Sequence, residues 1–441
     1  MRVAFVSLGC DKNLADSEHM LFLLKNNDME ITTEEDADVI VINTCCFIQS
    51  SLEESIQTIL DCARYKTEGH LKGLVVTGCM SGRYKEEIRR DIPEVDTIVG
   101  INSYDKIVRA VKESVSGEKT DIDDISINSL PDDSMGRISA TGMPYDYLKI
   151  AEGCDKRCTY CAIPNIRGPY RSIPIDVLIK EAKQLAESGI TEINIVAQET
   201  TIYGTDIYGE RKLPELLNTI SEIENIEWIR VLYTYPESID DDFIECMASN
   251  PKIVHYIDMP IQHADDYILR RMGRRTTRSD IKNIISKLRT RIPDISLRTT
   301  LISGFPGETD DMHETMKAFV KETNFDRLGV FTYSREDGTP AYDFPDQVPE
   351  EVKEKRKDEL MLLQQVIAFK KNKDLIGSDI DVFVEGYLSE KNVYVGRTYK
   401  DAPDVDSYIF ISSEVELISG TIAKVHVTDS KDYDLYGEIK L

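Results

Sequence analysis

The chain has 441 residues, of which 41% are hydrophobic and 30% are charged, and its formal net charge is −26. This composition describes a globular protein with room for two or three cores, and the sequence has no apolar run as long as a membrane span. The nine cysteines are too sparse for a disulfide scaffold, so clustered cysteines indicate metal binding. The N-terminus predicts a buried strand rather than a signal peptide, and we expect a cytoplasmic protein.

Residues 1–113 predict an N-terminal α/β domain. Apolar strand runs alternate with helical patterns, an order typical of a parallel sheet covered by helices. The predicted strands are residues 3–8, 39–43, 74–77 and 97–99.

Cysteines stand where three of these strands end. Cys10 follows the first strand, the doublet Cys45 and Cys46 follows the second, and Cys79 follows the third. Each cysteine alone fits a small buried residue. Three of them at equivalent positions favour a metal cluster at one rim of the sheet.

The next segment, residues 114–143, is polar and acidic, and its Gly, Pro and Ser residues predict a linker. Residues 144–374 predict a partial TIM-like (βα)6 barrel, closed by a long amphipathic helix over residues 346–372. The six strands are predicted at residues 147–151, 192–196, 228–232, 256–259, 297–302 and 328–332.

The most informative motif of the barrel is the loop after its first strand. Cys154, Cys158 and Cys161 have the spacing Cys-x3-Cys-x2-Cys. Three thiolates this close can hold one iron–sulfur cluster and leave one iron without a protein ligand, where a small molecule can bind and react. A structural zinc site would usually supply paired Cys-x2-Cys motifs and a fourth ligand nearby, and none follows here.

Polar side chains also stand near the predicted carboxyl ends of the barrel strands, where parallel α/β folds bind ligands. Gly304 begins a Gly-x-x-Gly loop that would let a ligand approach the backbone, although many tight turns share this pattern. His263 fits either an acid–base role or packing. Four arginines, Arg270, Arg271, Arg274 and Arg275, either steer a carboxylate or solvate a helix end. The candidate cofactor-binding residues are Tyr160, Gln198, Glu199, Arg298, Gly304 and Glu308.

Residues 375–441 predict a small antiparallel β-barrel of five strands, at residues 380–385, 393–398, 408–411, 422–428 and 435–439. This segment contains six Lys or Arg and thirteen Asp or Glu, a net charge of −7. A tRNA-binding barrel should present a basic face, whereas an acidic barrel suits a basic protein substrate.

Together these motifs resemble the methylthiotransferase family of radical S-adenosylmethionine (SAM) enzymes, across nearly the whole chain. Ser7-Leu8-Gly9-Cys10, Asn43-Thr44-Cys45 and Thr77-Gly78-Cys79 are similar to the family's auxiliary-cluster motifs. The Cys154 loop is similar to its SAM-cluster motif, in which Tyr160 matches a frequent aromatic, and the last segment resembles a TRAM domain. Two features depart from the pattern: the Cys45-Cys46 doublet, and Ala264 in place of the more frequent Gly or Ser after His263.

The resemblance implies SAM as cofactor and two [4Fe–4S] clusters. One cluster, on Cys154, Cys158 and Cys161, would cleave SAM to a 5′-deoxyadenosyl radical. The auxiliary cluster, on Cys10, Cys45 and Cys79, would supply sulfur, and a second SAM would supply the methyl group. The two cysteine rims must then face each other.

Within the family, the chain most resembles the branch that adds a methylthio group to the β-carbon of an aspartate in small-subunit ribosomal protein twelve. Implied partners are that protein or the assembling small subunit, and a reductant protein. Asp401, Asp404 and Asp406 are the candidate substrate-binding residues. Two alternatives stay open: a tRNA adenosine methylthiotransferase, which the acidic barrel disfavours, and a non-catalytic iron–sulfur carrier or sensor.

Overall fold

The structure is a computed structural model that describes residues 1–124, 126–131 and 136–439. These residues form a parallel α/β domain, a six-stranded partial barrel and a closed five-stranded barrel. This architecture confirms the predicted fold class. None of the helices in the described ranges combines the length and the apolar character needed to cross a membrane.

The first domain is a parallel sheet with strand order β2-β1-β3-β4-β5-β6. Its strands are β1 (Arg2–Ser7), β2 (Glu30–Ile31), β3 (Val39–Thr44), β4 (Gly73–Gly78), β5 (Thr97–Val99) and β6 (Thr120–Ile122). Its helices are α1 (Asp11–Lys25), α2 (Gln49–Thr67), α3 (Cys79–Arg83), α4 (Lys85–Asp91) and α5 (Ile107–Ser114). β3 and β4 are buried throughout because helices cover both faces of the sheet.

The segment predicted as a linker is partly built into the fold. β6 pairs in parallel with β5 and forms an edge of the first sheet. Further on, the buried Arg137 pairs with Glu18 of α1, and with Asp146 and Glu181 of the barrel. The polar composition of the segment therefore reflects ion pairs between two domains as well as solvent exposure. Residue 125 and residues 132–135 of the predicted linker lie outside the described residues.

The second domain is an all-parallel sheet with strand order β14-β13-β12-β11-β10-β7, which confirms the six predicted strands. Its strands are β7 (Tyr145–Lys149), β10 (Glu192–Val196), β11 (Trp228–Val231), β12 (Ile253–Asp258), β13 (Ser296–Ser303) and β14 (Arg327–Thr332). A separate short pair, β8 (Ala151–Glu152) and β9 (Arg171–Ser172), flanks the cysteine loop.

Helices cover the outer face of the partial barrel and bury its largest apolar cluster. They are α7 (Ile175–Glu187), α8 (Leu213–Ser221), α9 (Asp241–Ser249), α10 (Asp266–Arg271), α11 (Arg278–Arg291), α12 (Asp310–Thr323) and α13 (Glu350–Asp374). A further short helix, α6 (Ile163–Arg167), packs Ile166 into an apolar cluster of the first domain. The closing helix α13 begins four residues later than predicted. Pro349 is its N-cap with extended backbone, and Asp346 has a positive φ of 63°, so neither continues a helix.

The third domain is a closed barrel with strand order β15-β16-β17-β19-β18. Its strands are β15 (Asp379–Leu388), β16 (Val393–Thr398), β17 (Ile409–Ser412), β18 (Ile422–Lys431) and β19 (Asp434–Glu438). The pairs are antiparallel except β17 with β19, which is parallel. Closure leaves no free sheet edge on this small domain.

The third domain docks where the barrel strands begin. Phe383 of β15 stacks on Trp228, the first residue of β11, with 5.6 Å between ring centroids. Arg397 of β16 pairs with Glu192, the first residue of β10. The opposite end of the barrel, where the strands finish, carries the cysteine loop.

Candidate active site

Three cysteines lie at one rim of the first sheet. Cys10 caps α1 after β1, Cys45 directly follows β3, and Cys79 begins α3 directly after β4. The three strands are adjacent in the sheet, so their carboxyl ends lie side by side. A Cβ placed on Gly9 would lie 3.1 Å from Cys45 Sγ, so the glycine lets Cys45 pack against the segment that carries Cys10.

Asn13 ties these strand ends together. Its side-chain amide donates to the backbone oxygens of Leu8 (3.0 Å) and Thr44 (2.9 Å). Its Oδ1 lies 3.8 Å from Cys79 Sγ and accepts a weak hydrogen bond from that thiol. One buried side chain thus fixes the residues that precede two of the cysteines and contacts the third.

Burial raises the pKa of the Cys45 thiol and raises that of Cys79 to about 12, so both thiols stay protonated at neutral pH until a metal binds. The Cys79 thiol interacts electrostatically with both Cys10 and Cys45. The Cys46 side chain is fully buried in the apolar cluster under α2, which also includes Cys79. Burial and the neighbouring Cys79 and Cys45 thiols raise the pKa of Cys46, and Arg83 offsets part of this effect.

The second cysteine triad lies in the loop after β8. Backbone hydrogen bonds hold this loop: Cys154 N–H donates to Gly168 O (3.1 Å), and Thr159 N–H donates to Met272 O (3.0 Å). Burial raises the pKa of the Cys154 and Cys161 thiols to about 12. The loop is therefore anchored from both sides while its thiols converge.

The donor chemistry of both triads fits iron–sulfur clusters, because three converging cysteines are the ligands that such clusters take. Among the described residues, no three His, Cys, Asp or Glu side chains come close enough together to hold a single metal ion. The fit therefore rests on the thiol positions, and the assignment of the ligands stays a prediction.

An aromatic wall and a buried arginine flank the Cys154 loop. Tyr160 packs edge-on against Phe305, with 6.4 Å between ring centroids. Arg274 is 5% exposed and lies over the Tyr235 ring at 4.4 Å. Its Nη2 donates to Pro260 O (2.8 Å), whereas its Nε and Nη1 have no hydrogen-bond partner among the described residues. Of the four arginines in the basic segment, Arg274 thus faces the cysteine loop electrostatically rather than solvating a helix end.

Two predicted cofactor residues, Gln198 and Glu199, each have one side-chain oxygen without a hydrogen-bond partner among the described residues. Gln198 Nε2 donates to Glu152 Oε1 (3.0 Å), and Glu199 Oε1 accepts from Ser238 (2.8 Å). Gln198 Oε1 and Glu199 Oε2 are buried and find no partner in the described part of the chain. Burial raises the pKa of Glu199. Buried polar atoms without partners suit a ligand that would complete their hydrogen bonds.

Gly304 and Glu308, two of the predicted cofactor residues, make close contacts within the chain. A Cβ on Gly304 would lie 2.2 Å from Lys353 Cγ, so the glycine makes room for a side chain of α13. Glu308 accepts from Gly304 N–H (2.7 Å) and pairs with Arg356 (3.1 Å). His263, fully buried with 3.7 Å between its Nε2 and Glu308 Oε2, belongs to the same packing.

The three aspartates predicted to bind substrate contact the barrel of their own chain. Asp401 is buried and pairs with Arg327, and Asp406 accepts from Tyr256 Oη (2.7 Å). Asp404 stays exposed but accepts from Tyr145 Oη (2.9 Å) and Tyr147 Oη (3.1 Å). These carboxylates bind the barrel of their own chain, and contact of the three aspartates with the substrate stays a prediction.

Arg298, a predicted cofactor ligand, belongs to the same interface. It pairs with Asp258 (2.7 Å) and lies 3.7 Å from Asp406. Its guanidinium charge is therefore balanced by two carboxylates of the chain itself.

The two cysteine rims face each other, as the resemblance implied. Tyr233 Oη donates to Asp11 (3.2 Å), and the Lys12 ammonium lies 3.3 Å from the centroid of the same ring. Arg83 of α3 pairs with Glu336 of the barrel (3.0 Å).

A buried ion network that sequence reasoning missed connects the two sites. Arg167 contacts Glu152 (2.7 Å) and Asp16 (3.3 Å), and Lys149 pairs with the same two carboxylates. Glu152 stands two residues before Cys154, which is the only local signal, because Asp16 and Arg167 are 151 residues apart in sequence.

The two triads predict about eight irons per chain. Replacing Cys154, Cys158 and Cys161 together with Ala should leave about half of them, because the auxiliary thiols lie on a separate sheet. Iron assay of the reconstituted protein measures this. The matched controls are Cys62→Ala and Cys246→Ala, since these buried cysteines lie inside α2 and α9 and should leave the iron content unchanged. Complete loss, or no loss, in the triple variant would contradict two independent sites.

Three family models match three segments of the chain, one in each of the three domains. Residues 2–100 match Uncharacterized protein family UPF0004, residues 148–320 match the Radical SAM superfamily, and residues 376–439 match the TRAM domain. The ribosomal protein uS12 methylthiotransferase RimO of Lachnoclostridium phytofermentans is 52% identical over 438 residues, 99% of each chain. The protein of the same name from Acetivibrio thermocellus is 49% identical over 448 residues, covering 99% of this chain and 98% of that one.

Solved structures share the fold at low identity. The radical SAM methyltransferase TsrM from Kitasatospora setae, with cobalamin and a [4Fe-4S] cluster bound, gives a TM-score of 0.57 at 12% identity, over 86% of this chain and 75% of that chain. The cobalamin-dependent radical enzyme OxsB gives 0.53 at 16% identity, over 83% and 56%. The near full-length identity to the named relatives carries more weight, and it shows that the chain belongs to the RimO family of radical SAM methylthiotransferases.

Proposed function

We propose that this chain is a radical SAM methylthiotransferase that adds a methylthio group to the β-carbon of an aspartate in ribosomal protein uS12. The observation that carries the proposal is the 52% identity, over 99% of both chains, to an enzyme of that name. The two cysteine triads on facing rims support it, because the reaction needs two cluster sites open to one cavity.

We assign one role to each triad. Cys154, Cys158 and Cys161 would hold the SAM cluster, and Cys10, Cys45 and Cys79 the auxiliary cluster. When bound, the first cluster supplies the electron that cleaves SAM, and the second supplies sulfur for the product. The chain itself positions both thiol sets, and the Lys12–Tyr233 contact helps to close the space between the rims against water.

Three residues around the Cys154 loop are our candidates for SAM contacts. Tyr160 lies between Cys158 and Cys161 in the loop and packs against Phe305, and Gln198 and Glu199 present buried oxygens without partners among the described residues. A carboxylate or amide oxygen here would suit the ammonium or hydroxyl donors of SAM. Arg298, Gly304 and Glu308 have partners within the chain, and their contact with SAM stays a prediction.

The third domain would meet the substrate through its exposed surface. The acidic residues exposed there are Asp379, Asp381, Glu390, Asp404, Glu414, Glu416, Asp429, Asp432 and Glu438. Such a surface suits a basic ribosomal protein, free or in the assembling small subunit, and disfavours tRNA. We further propose a cytoplasmic location, where ribosomal substrates reside and free thiols stay reduced, and a reductant protein that supplies electrons.

One experiment tests this function. Reconstituted enzyme, SAM and a chemical reductant are incubated in parallel with uS12 and with tRNA, and both are analysed by mass spectrometry. We expect a methylthio group on one aspartate of uS12, none on tRNA, and 5′-deoxyadenosine in the reaction. Cys154→Ala is the control that should lose both products. Modified adenosine in tRNA would promote the tRNA alternative, and absence of 5′-deoxyadenosine would promote a non-catalytic carrier.

A further inference from the structure

Arg167 is the last residue of α6, the first helix after the Cys154 loop, and its side chain is buried at the boundary between the first two domains. One guanidinium nitrogen, Nη2, lies 3.6 Å from Cys79 Sγ and also donates to Asn13 Oδ1. The other, Nη1, donates to Glu152 Oε2 (2.7 Å). One planar group thus contacts a thiol of the auxiliary triad and the strand that leads into the other triad.

The ion network around Arg167 accounts for its burial, because Arg167 and Lys149 both face Asp16 and Glu152. Nη2 also donates to Asp16 Oδ2 (3.3 Å) and to Asn13 Oδ1. Held in this way, the same nitrogen lies 3.6 Å from the Cys79 sulfur. The Cys45 thiol also lies within the electrostatic reach of Arg167.

Hydrogen bonds and positive charge at ligand sulfurs raise the reduction potential of an iron–sulfur cluster, because they stabilise the added electron. We propose that Arg167 is a positioning residue for the auxiliary cluster, whose Nη2–H donates to the Cys79 sulfur and raises the reduction potential of that cluster. This inference rests on the proposed assignment of Cys10, Cys45 and Cys79 as cluster ligands.

The alternative is that Arg167 only holds the two domains together. Arg171 provides a matched control, because it is also buried in the same segment and its hydrogen bonds go to the backbone oxygens of Ile127 and Arg167. Asp16→Asn provides a second control, since it weakens the network between the domains without removing a donor from Cys79. If Arg167 only bridges the domains, Asp16→Asn should shift the reduction potential in the same direction as loss of Arg167. The proposal instead predicts that Asp16→Asn gives no negative shift of the potential.

The test is a redox titration followed by electron paramagnetic resonance, in the full-length chain with Cys154, Cys158 and Cys161 replaced by Ala so that one cluster is observed. Arg167→Gln should shift the midpoint potential to more negative values. Arg167→Lys, which keeps the charge but not the planar fork, should give a smaller shift in the same direction and still tests the idea if the Gln variant does not fold. Arg171→Gln should leave the potential unchanged.

The outcomes separate this inference from the proposed function. If the parent variant forms no cluster, the assignment of Cys10, Cys45 and Cys79 as cluster ligands is wrong, and the inference is overturned together with it. If the cluster forms and the potentials of the Arg167 variants equal that of the parent, the inference alone is overturned. An equal negative shift in Arg171→Gln or Asp16→Asn would also overturn it, because loosened packing would then explain the result.

Discussion

Replacing Cys45 with Ala is expected to abolish methylthio transfer while SAM cleavage continues. Cys45 packs against Gly9 next to Cys10, and Ser55 holds its backbone through both the N–H (3.0 Å) and the carbonyl oxygen (2.7 Å). Removing this thiol takes one ligand from the auxiliary site. Loss of an outer-sphere partner typically costs about 10–100-fold in affinity or activity, and loss of a ligand should exceed that.

Cys46→Ala is the matched control, because it removes the neighbouring thiol. The Cys46 side chain lies in the apolar cluster under α2, so its loss should reduce stability by about 1 kcal/mol and leave transfer intact. Methylthiolated uS12 and 5′-deoxyadenosine, measured in the same reactions, read out the two activities. If Cys46→Ala loses transfer and Cys45→Ala keeps it, the assignment made from the Asn43-Thr44-Cys45 motif is wrong.

The sequence predicts the fold well because its signals are local. Each buried parallel strand is a short apolar run, and β5 and β10 have the predicted bounds. β6 was missed because it lies in an acidic stretch, where composition indicates a linker. Its place in the sheet depends on pairing with β5, which no local pattern reports.

In the candidate site, too, local signals in the sequence were predictive and long-range contacts were not. The cysteine triads follow from strand ends and tight spacing, and the structure places one set at a rim of the first sheet and the other in the loop after β8. Arg298, Glu308 and the aspartates near residue 404 stand where ligand-binding residues are expected, but each also has a charged or hydroxyl partner 40 or more residues away in sequence. A polar residue at a strand end binds a ligand or another side chain, and only the tertiary fold decides between them.

The largest stability effect is expected from Arg397→Ala, in the contact between the barrel and the third domain. Arg397 is 1% exposed, its Nη2 lies 2.5 Å from Glu192, and it also pairs with Glu385. Removing the guanidinium leaves the buried carboxylates of Glu192 and Glu385 without this cation. Loss of one partner of a buried ion pair typically lowers the free energy of unfolding by about 3–5 kcal/mol. Chemical denaturation, followed by fluorescence of Trp228 at the contact with Phe383, measures the loss.

The pH dependence distinguishes lost charge pairing from a cavity. Burial alone would raise the pKa of Glu192, but Arg397 and Arg230 outweigh it and hold that pKa below its ordinary value. In the native chain this contribution to stability is full above the unfolded pKa and is lost as pH falls through the folded pKa. Without Arg397, burial opposes the charge on Glu192 more strongly. The difference in free energy of unfolding between variant and parent should therefore narrow from pH 7 to pH 5, as Glu192 of the variant takes up a proton. A cavity would lower the free energy of unfolding equally at both pH values. Lys424→Ala removes an exposed ion pair with Asp381 in the same small barrel and should change stability little at either pH, because solvent already screens that pair.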